Sequence, residues 1–382
     1  MARIVLGSYL VQFPLGGYLS WVLQWLHGLK ELGHDVTFVE KSMYPNSCYD
    51  ALKDAMTSDA SYGTGVVNDL LSRFGLDGKW CFVDASGDYH GMTRESIEDI
   101  FADADLFIDM GTHGAWKEEA MGARLRVLID GEPAATQIKM EKQLAAGRPL
   151  PDFDFYYTVG QNIGTKASTA PTAGQQWRPI FYPASLGMFC SLPFPSGAAF
   201  TTVMSWEAHD PIEWNGVTYG AKSVEFAKFL DLPTRTASPL EIAVAGRNVP
   251  KAALTGTGWR VRDSHAVTVS FDAFRDYISG SKGEFSVCKN IFVQTNSGWF
   301  SDRAAAYLAS GRPVVMQETG FSSHLPCGRG LFAVRTAEEA AAAIAEIESD
   351  PASHSRWARE LAAAHLDTNV VFRRFLSELW IQ

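Results

Sequence analysis

The sequence predicts an α/β protein that consists of two Rossmann-like domains. Its 382 residues are enough for two domains of ordinary size, and its apolar fraction of 46% allows each of them a substantial core. Short apolar runs with strand character alternate with helical patterns along both halves of the chain. This alternation is typical of parallel strands that helices cover on both faces of a sheet.

The first half begins with the pattern of a βαβ unit. A strand at 4–6 precedes a glycine loop and a buried helix at about 18–32, and a second strand follows at 35–40. Later segments have the apolar runs of strands or the periodicity of helices. The predicted strands are 80–84, 106–110, 126–129 and 155–159, and the predicted helices are 66–74, 94–102 and 136–146.

A change of composition separates the two halves. Residues 161–195 are rich in Gly, Pro, Ser and Thr, as interdomain connections are. We therefore predict a first domain over 1–195 and a second over 196–365. The second half has predicted strands at 201–205, 240–245 and 259–262 and a predicted helix at 221–230. In the final segment, 366–382, an apolar stripe predicts a helix: Val371, Phe375, Leu379 and Ile381.

Composition excludes several classes of function. The formal net charge of −10 and the lack of a basic run argue against nucleic-acid binding, which needs clustered Lys and Arg. The five cysteines are far apart and the nine histidines are scattered, so neither a disulfide framework nor a metal site is indicated. We expect a cytoplasmic protein without a bound metal that acts on small or neutral molecules.

An uncharged run at 4–26 has the length of a membrane span. Gln12, Pro14 and Gln24 interrupt it, and only Arg3 supplies positive charge before it. We therefore assign the run to the first strand, loop and helix, and we expect no integral membrane span.

The segment 284–321 is the most informative part of the chain. It has the pattern of a strand, a polar glycine loop, a helix, an apolar strand and a second glycine turn. At Ser297 and Gly298 the backbone can approach a ligand closely, and Ser301 or Asp302 can cap the helix that follows. The pattern therefore predicts a ligand-binding βαβ unit.

The start of that helix would favour a phosphate group. Lys289 lies upstream of it and Arg303 in its first turn, so both could add charge-assisted hydrogen bonds to the same anion. Strand, glycine turn and helix also recur throughout α/β proteins, and Arg303 could be a solvated surface charge. Spacing alone leaves both readings open.

The segment resembles the donor-binding half of the GT-B nucleotide-sugar glycosyltransferases, in which a glycine loop, a helix, a run like LASGRPVV and a Thr-Gly turn hold the nucleotide diphosphate. Many members have a Glu in the helix on the donor ribose; that position is Ala306 here, and we predict Asp302 as its substitute. Asn296 stands where plant-type enzymes have a His. Residues 130–177 and the run SGWFSDR resemble an uncharacterised bacterial group of GT-B-like glycosyltransferases.

The resemblance implies a GT-B fold, with two Rossmann-like domains that face each other across a cleft. It implies that the first domain binds the acceptor, that the second binds the donor, and that the C-terminal helix crosses back to the first domain or packs on its own. It implies no metal and no cofactor beyond the nucleoside-diphosphate sugar. The donor-binding residues that we predict are Arg247, Lys289, Ser297, Gly298, Trp299, Ser301, Asp302, Arg303, Glu318, Thr319 and Gly320.

Reacting groups are expected in loops that follow strands, where ligands bind in open α/β sheets. His113, in the run GTHG, could take the proton of an acceptor hydroxyl, and Asp130 could orient it or act as the base. Glu132 could serve only as a helix cap. Gly16 and Gly17 could let the backbone approach a sugar, or could simply reverse the chain.

The predicted function is the transfer of a hexose or deoxyhexose from a nucleoside-diphosphate sugar to a hydroxyl of a small-molecule or glycan acceptor. One alternative is a sugar-nucleotide epimerase, for which Asp130, Glu132, Glu318 and His113 could supply acid and base groups. A second is a binding scaffold without activity, since Ala306 and Asn296 depart from the GT-B pattern. The donor, the acceptor, the stereochemistry and the oligomeric state stay open.

Overall fold

The computed structural model describes residues 1–112, 114–193, 195 and 197–381, in which two separate, mainly parallel sheets form the frame. The first sheet has the strand order β10-β9-β8-β7-β1-β2-β5-β6, and β6 alone runs antiparallel to its neighbour. A hairpin of β3 and β4 stands beside it. The elements of this half are β1 Arg3–Gly7, α1 Gly16–Glu31, β2 Asp35–Lys41, β3 Cys48–Asp50, β4 Ala55–Thr57, α2 Ser61–Arg73, β5 Trp80–Val83, β6 Tyr89–Gly91, α3 Arg94–Ala102, β7 Leu106–Asp109, β8 Arg126–Asp130, α4 Ala135–Ala145, β9 Phe155–Thr158 and β10 Trp177–Pro179.

The second sheet is parallel throughout and has the order β15-β14-β11-β16-β17-β18. A hairpin of β12 and β13 follows its first strand. The elements are β11 Phe200–Ser205, β12 Ile212–Trp214, β13 Val217–Tyr219, α5 Lys222–Phe226, β14 Leu240–Ala245, α6 Lys251–Gly256, β15 Arg260–Asp263, α7 His265–Thr268, α8 Phe271–Ser279, β16 Gly283–Ser286, α9 Asn290–Gln294, α10 Asp302–Ala309, β17 Val314–Gln317, β18 Leu331–Val334, α11 Ala337–Ser349, α12 Pro351–His365 and α13 Thr368–Glu378.

The central strands are buried on both faces, as their apolar sequences require. β7 and β16, for example, expose none of their residues. Because all the central strands of a sheet run in the same direction, the loops that follow them gather at one edge. The predicted α/β class is therefore confirmed.

Loops from the two sheets meet at these edges. A backbone bridge joins Gly160, two residues after β9, to Trp299, and the amide of Asn162 donates to the carbonyl of Ser297 at 3.0 Å. The largest apolar cluster of the described residues contains side chains of both halves, such as Leu6 and Met316. The carboxyl ends of both sheets therefore lie close to each other.

The last helix, α13, packs against α1 of the first half. The ring of Trp25 lies 5.0 Å from that of Phe372 and 5.9 Å from that of Phe375. Domain boundaries at 195 and 365 stay predictions. In the part of the chain that the structure describes, no helix combines the length and the apolar composition needed to cross a bilayer.

Gly16 and Gly17 are the first residues of α1 and do not form the predicted loop. A Cβ on Gly16 would lie 2.6 Å from the carbonyl oxygen of Ser270, just before α8. Gly16 therefore permits the starts of α1 and α8 to approach each other. Its position gives no support to the predicted approach of the backbone to a sugar. Gly17 has open space around it.

Gly28 supports the contact between α1 and α13, since a Cβ there would lie 2.5 Å from Cε2 of Phe372 and 2.8 Å from Cγ2 of Thr368. We expect Gly28→Ala to lower the free energy of unfolding by about 1–3 kcal/mol through overpacking. Chemical denaturation measures this change. Gly17→Ala in the same helix is the matched control and should raise stability by up to about 1 kcal/mol. Equal effects of the two substitutions would contradict the prediction.

Candidate functional site

Three loops at the edge of the second sheet are joined by the buried carboxylate of Glu225 on α5. Its oxygens accept hydrogen bonds from Asn290 Nδ2 at 2.7 Å, from Lys228 Nζ at 2.7 Å, and from the side-chain amide nitrogen Nε2 of Gln317. Gln317 also accepts the backbone N–H of Cys288 at 3.1 Å. These bonds fix the loops after β11, β16 and β17 relative to one another.

Lys222, the first residue of α5, lies at this edge and was missed by the sequence analysis. Its side chain is partly buried. Burial, together with the positive charges of Arg303 and Lys289, lowers the pKa of Lys222 to about 8. Across residues 1–112, 114–193 and 197–381, no hydrogen bond or ion pair of its ammonium group is found. Among the described residues, Lys222 is thus a cation without an ion-pair partner, and the carboxylate that acts on its charge from a distance is that of Glu132.

A sequence signal for Lys222 did exist. A cation in the first turn of a helix faces the positive end of the helix dipole, so this placement is unfavourable unless an anion compensates it. The short hairpin of β12 and β13, which carries the chain to this point, was not predicted.

Lys289 forms an ion pair across the two halves. Its Nζ lies 2.5 Å from Oε2 of Glu132, in the loop after β8, and the two side chains are 26% and 49% exposed. Glu132 does not cap α4 with its side chain. The amide of Ala134, where α4 begins, donates instead to Oε1 of Gln137 at 2.6 Å.

Arg303 is directed into the second sheet. Its Nε donates to Glu284 Oε1 at 2.6 Å and its Nη2 to Ser286 Oγ at 2.6 Å, both on β16. The Arg303 side chain is 11% exposed and that of Glu284 is fully buried. Burial raises the pKa of the Glu284 carboxyl, and the charge of Arg303 opposes the rise. Arg303 is therefore an internal counter-ion, and its predicted role as a phosphate ligand is not supported by this geometry.

The predicted glycine loop is covered by the first half. Ser297 and Trp299 are buried, and a Cβ on Gly298, whose φ is 74°, would lie 2.8 Å from the amide nitrogen of Asn162. Trp299 packs on Phe292 with ring centroids 4.7 Å apart. The close backbone approach that the sequence predicted at Gly298 is made with the protein's own loop, and Trp299 has no open face for a sugar.

The turn after β17 is also committed to internal contacts. Thr319 Oγ1 donates to the carbonyl of Trp299 at 2.6 Å, and the amide of Gly320 donates to Oε1 of Glu318. Arg335 lies 3.8 Å from the other oxygen of Glu318. The carboxylate of Glu318 therefore has partners within the protein, and the predicted contacts of this turn with sugar hydroxyls stay a prediction.

Ser301 caps α10 by accepting the amide of Arg303 at 3.2 Å, as predicted for one of the two candidate caps. Asp302 beside it is partly buried, which raises the pKa of its carboxyl. Its charge acts on Tyr9, Tyr18 and Tyr182 of the first half. Asp302 therefore lies at the boundary between the halves, where its predicted role on a ribose stays a prediction.

An aromatic cluster lines the first-half side of this boundary. Tyr9 lies 5.2 Å from Tyr18 and 5.9 Å from Trp21, and Trp21 lies 6.2 Å from Tyr182, measured between ring centroids. The loop that carries Tyr9 is fixed by Glu40 on β2, whose carboxylate accepts three successive amides, those of residues 10–12, at 2.7–2.9 Å. Tyr9, Tyr18 and Trp21 belong to one segment, but Tyr182 lies far from them in the sequence, and the cluster was not predicted.

The two predicted catalytic residues differ in what the structure says of them. His113 lies outside the described residues. Asp130 is buried, and its oxygens accept Thr158 Oγ1 at 2.7 Å, Gln137 Nε2 at 2.9 Å and the amide of Glu132 at 2.8 Å. Asp130 therefore fixes the loop after β8, and its predicted role as a base or as the partner of His113 stays a prediction.

Arg247, predicted to bind the diphosphate, follows β14 and pairs with Asp210 at 2.8 Å on the surface. His209 lies in the loop after β11; desolvation and then the charge of Lys289 lower its pKa. Among the described residues, no group of three or more His, Cys, Asp or Glu side chains is arranged to hold a metal ion. The cations that could contact an anionic ligand include Lys222, Lys289 and the more exposed Arg247.

No protein-family profile and no curated protein sequence matches the chain. Solved structures do. HepE of Anabaena, in complex with UDP and glucose, shares 11% identity over 99% of each chain with a TM-score of 0.56. An alpha-glucosyltransferase in complex with UDP shares 12% over 99% of each chain, also at 0.56. The chain has the GT-B fold.

Further structures with this fold agree. The sucrose-phosphate synthase of Thermosynechococcus elongatus shares 12% identity and covers 100% of this chain and 99% of its own, with a TM-score of 0.51. An alpha-glucosyltransferase with UDP and a 13-mer DNA aligns over 98% of both chains at 0.56. The GT-B fold that the sequence motif predicted is thus confirmed, and at such identities the likeness concerns the fold alone.

The ion pair of Arg303 and Glu284 gives a stability prediction. Arg303→Ala leaves a buried carboxylate without its counter-ion, so we expect the free energy of unfolding to fall by about 3–5 kcal/mol. Urea denaturation measures the loss, and Arg303→Met combined with Glu284→Gln should recover much of it. As a control, Arg73→Ala removes an exposed pair with Asp272 and should cost about 1 kcal/mol or less. Wild-type stability of Arg303→Ala would contradict the assignment.

Proposed function

We propose that this GT-B protein transfers a glycosyl group from a nucleoside-diphosphate sugar to a hydroxyl group of an acceptor. The observation that carries the proposal is Lys222, a partly buried cation without an acidic partner among the described residues, beside Lys289. A partly buried charge without a partner is costly in a folded protein, and a bound anion removes that cost. The neighbours in complex with UDP support a diphosphate as that anion.

In the proposed reaction Lys222 and Lys289 bind the diphosphate. As the bond between the anomeric carbon and the phosphate oxygen breaks, negative charge grows on the leaving group, and fixed cations in a poorly hydrated cleft stabilise it. Two lysines can supply the charge that a metal ion supplies in other enzymes, so we propose a metal-independent transfer. Domain closure around the donor would complete the site.

The acceptor is proposed to bind on the first-half side, against the aromatic cluster of Tyr9, Tyr18, Trp21 and Tyr182. Aromatic rings stack on the CH faces of sugars, and phenol hydroxyls can exchange hydrogen bonds with them. This favours a small-molecule or glycan acceptor. The net charge of −10 disfavours a nucleic acid. A cytoplasmic location and a hexose or deoxyhexose as the transferred group remain predictions.

The epimerase alternative is less well supported. It needs carboxylates that can exchange protons with the sugar, whereas Asp130 and Glu318 are occupied by internal hydrogen bonds. The scaffold alternative rests on Ala306 and Asn296, and binding alone would not exclude it. Activity decides between these possibilities.

The function is tested by calorimetry with UDP, GDP and dTDP, followed by incubation with the sugar nucleotides of the base that binds. A glycosyltransferase should bind one nucleoside diphosphate far more tightly than its nucleoside and release that diphosphate slowly from the sugar nucleotide. Interconversion of two sugar nucleotides would indicate the epimerase, and binding without turnover would indicate the scaffold. No binding to any of the three would contradict the proposal.

The lowered pKa of Lys222 predicts how binding depends on pH. The diphosphate binds the charged lysine, which loses its proton as the pH rises through about 8, so we expect affinity to fall by up to about tenfold per pH unit above pH 8. Calorimetry between pH 7 and 9.5 would measure it. Lys222→Met should bind about 10–100-fold more weakly at pH 7 and lose the steep dependence. Lys142→Met, on the exposed last turn of α4, should behave as the wild type.

A further inference from the structure

The ion pair between Lys289 and Glu132 lies where the proposed function needs a free cation. Lys289 is one of two lysines assigned to the diphosphate, and in this structure a carboxylate of the other half holds its Nζ at 2.5 Å. We propose that Glu132 is a positioning residue that occupies Lys289 before the donor arrives and that the diphosphate displaces it. This inference rests on the proposed function and adds a step to it.

The ion pair between Lys289 and Glu132 is weak enough for a diphosphate to replace the carboxylate. With 26% and 49% of the side chains exposed, water screens the attraction between them, and such pairs contribute about 0–1 kcal/mol. A diphosphate offers more negative charge than one carboxylate and can contact Lys222 as well. Because Lys222 has no acidic partner in the described residues, the two lysines keep a net positive charge even while Glu132 is bound.

Displacement would leave the backbone in place. The amide of Glu132 donates to Asp130 Oδ1 at 2.8 Å, and its carbonyl accepts the amide of Thr136 at 2.9 Å. The neighbouring carbonyl of Gly131 accepts the hydroxyl of Tyr182 at 3.1 Å. Only the side chain of Glu132 is therefore free to move, so its release does not require the loop to unfold.

The released carboxylate would face the acceptor side. Its charge already acts on Tyr9 and Tyr18 of the aromatic cluster, and on His209 and Lys222 across the boundary. Two phenol hydroxyls or an acceptor hydroxyl can donate to it there. The carboxylate of Glu132 thus becomes available to the glycosyl acceptor only after the sugar nucleotide has bound. Binding should therefore be ordered, with the sugar nucleotide first.

The test compares Glu132→Gln with the wild type by calorimetry, using UDP and inorganic pyrophosphate as probes. Removing the internal competitor should tighten the binding of both about two- to fivefold. In a background of Lys289→Met, Glu132→Gln should have no further effect. A purely structural role of Glu132 would not tighten the binding of both probes, nor would it make that gain depend on Lys289.

Asp272→Asn is the matched control. It removes another ion pair between the halves, with Arg73 at 2.7 Å and at similar exposure, and a pair within α8, with Arg275 at 3.1 Å. UDP affinity should stay at the wild-type value. If Asp272→Asn tightens UDP binding as much as Glu132→Gln does, the gain comes from a weaker contact between the two halves. The proposal that the diphosphate displaces Glu132 would then be wrong.

The outcomes separate this inference from the function on which it rests. Equal or weaker binding of UDP to Glu132→Gln would overturn the displacement while the proposed function stands. Tighter binding of pyrophosphate to Glu132→Gln, without turnover of any sugar nucleotide, would support the displacement and overturn the function. If neither protein binds UDP or pyrophosphate, both proposals fail.

Discussion

The close approach of two backbone loops holds the two sheets in the arrangement on which the site depends. Residues 160–162 of the first half lie against Ser297 and Gly298, joined by the bridge from Gly160 to Trp299. A Cβ on Gly320, whose φ is 99°, would lie 2.3 Å from Nδ2 of Asn162. Glycine meets both demands, since it has no Cβ and adopts positive φ without strain. Side chains here would push the sheet edges apart and separate Glu132 from Lys289.

This contact also explains why so few of the loop residues face a ligand. Most of their hydrogen-bonding groups have partners within the protein, as most buried polar groups do, although the indole N–H of Trp299 has none among the described residues. The Thr319 hydroxyl donates to the carbonyl of Trp299, and the Glu318 carboxylate accepts the amide of Gly320, so both groups contribute to the internal structure of the turn. The loops position the two halves, and the chemistry falls to side chains at the margin of the contact.

Much of the fold could be predicted from the sequence. The strand at 240–245 and the helix at 94–102 have the observed bounds, because a buried parallel strand is an apolar run and an amphipathic helix has a clear period. The site was less predictable. Glycines at 298 and 320 predict close approach of backbone, but not what approaches. Arg303 lies in a first helical turn as a phosphate ligand would, yet its direction depends on Glu284, nineteen residues earlier.

The ion pairs and hydrogen bonds of the acids near the site explain why Lys222 has no ion-pair partner among the described residues. Glu284 is neutralised by Arg303, and Glu225 by Lys228 together with two amide donors. Asp130 has its own hydroxyl and amide donors, so none of these acids is directed to Lys222. Glu132, whose side chain is half-exposed, contacts Lys289, and its charge also acts on Lys222. The fold therefore pairs these neighbouring charges internally and leaves Lys222, whose pKa is lowered, for the anion that we propose as its ligand.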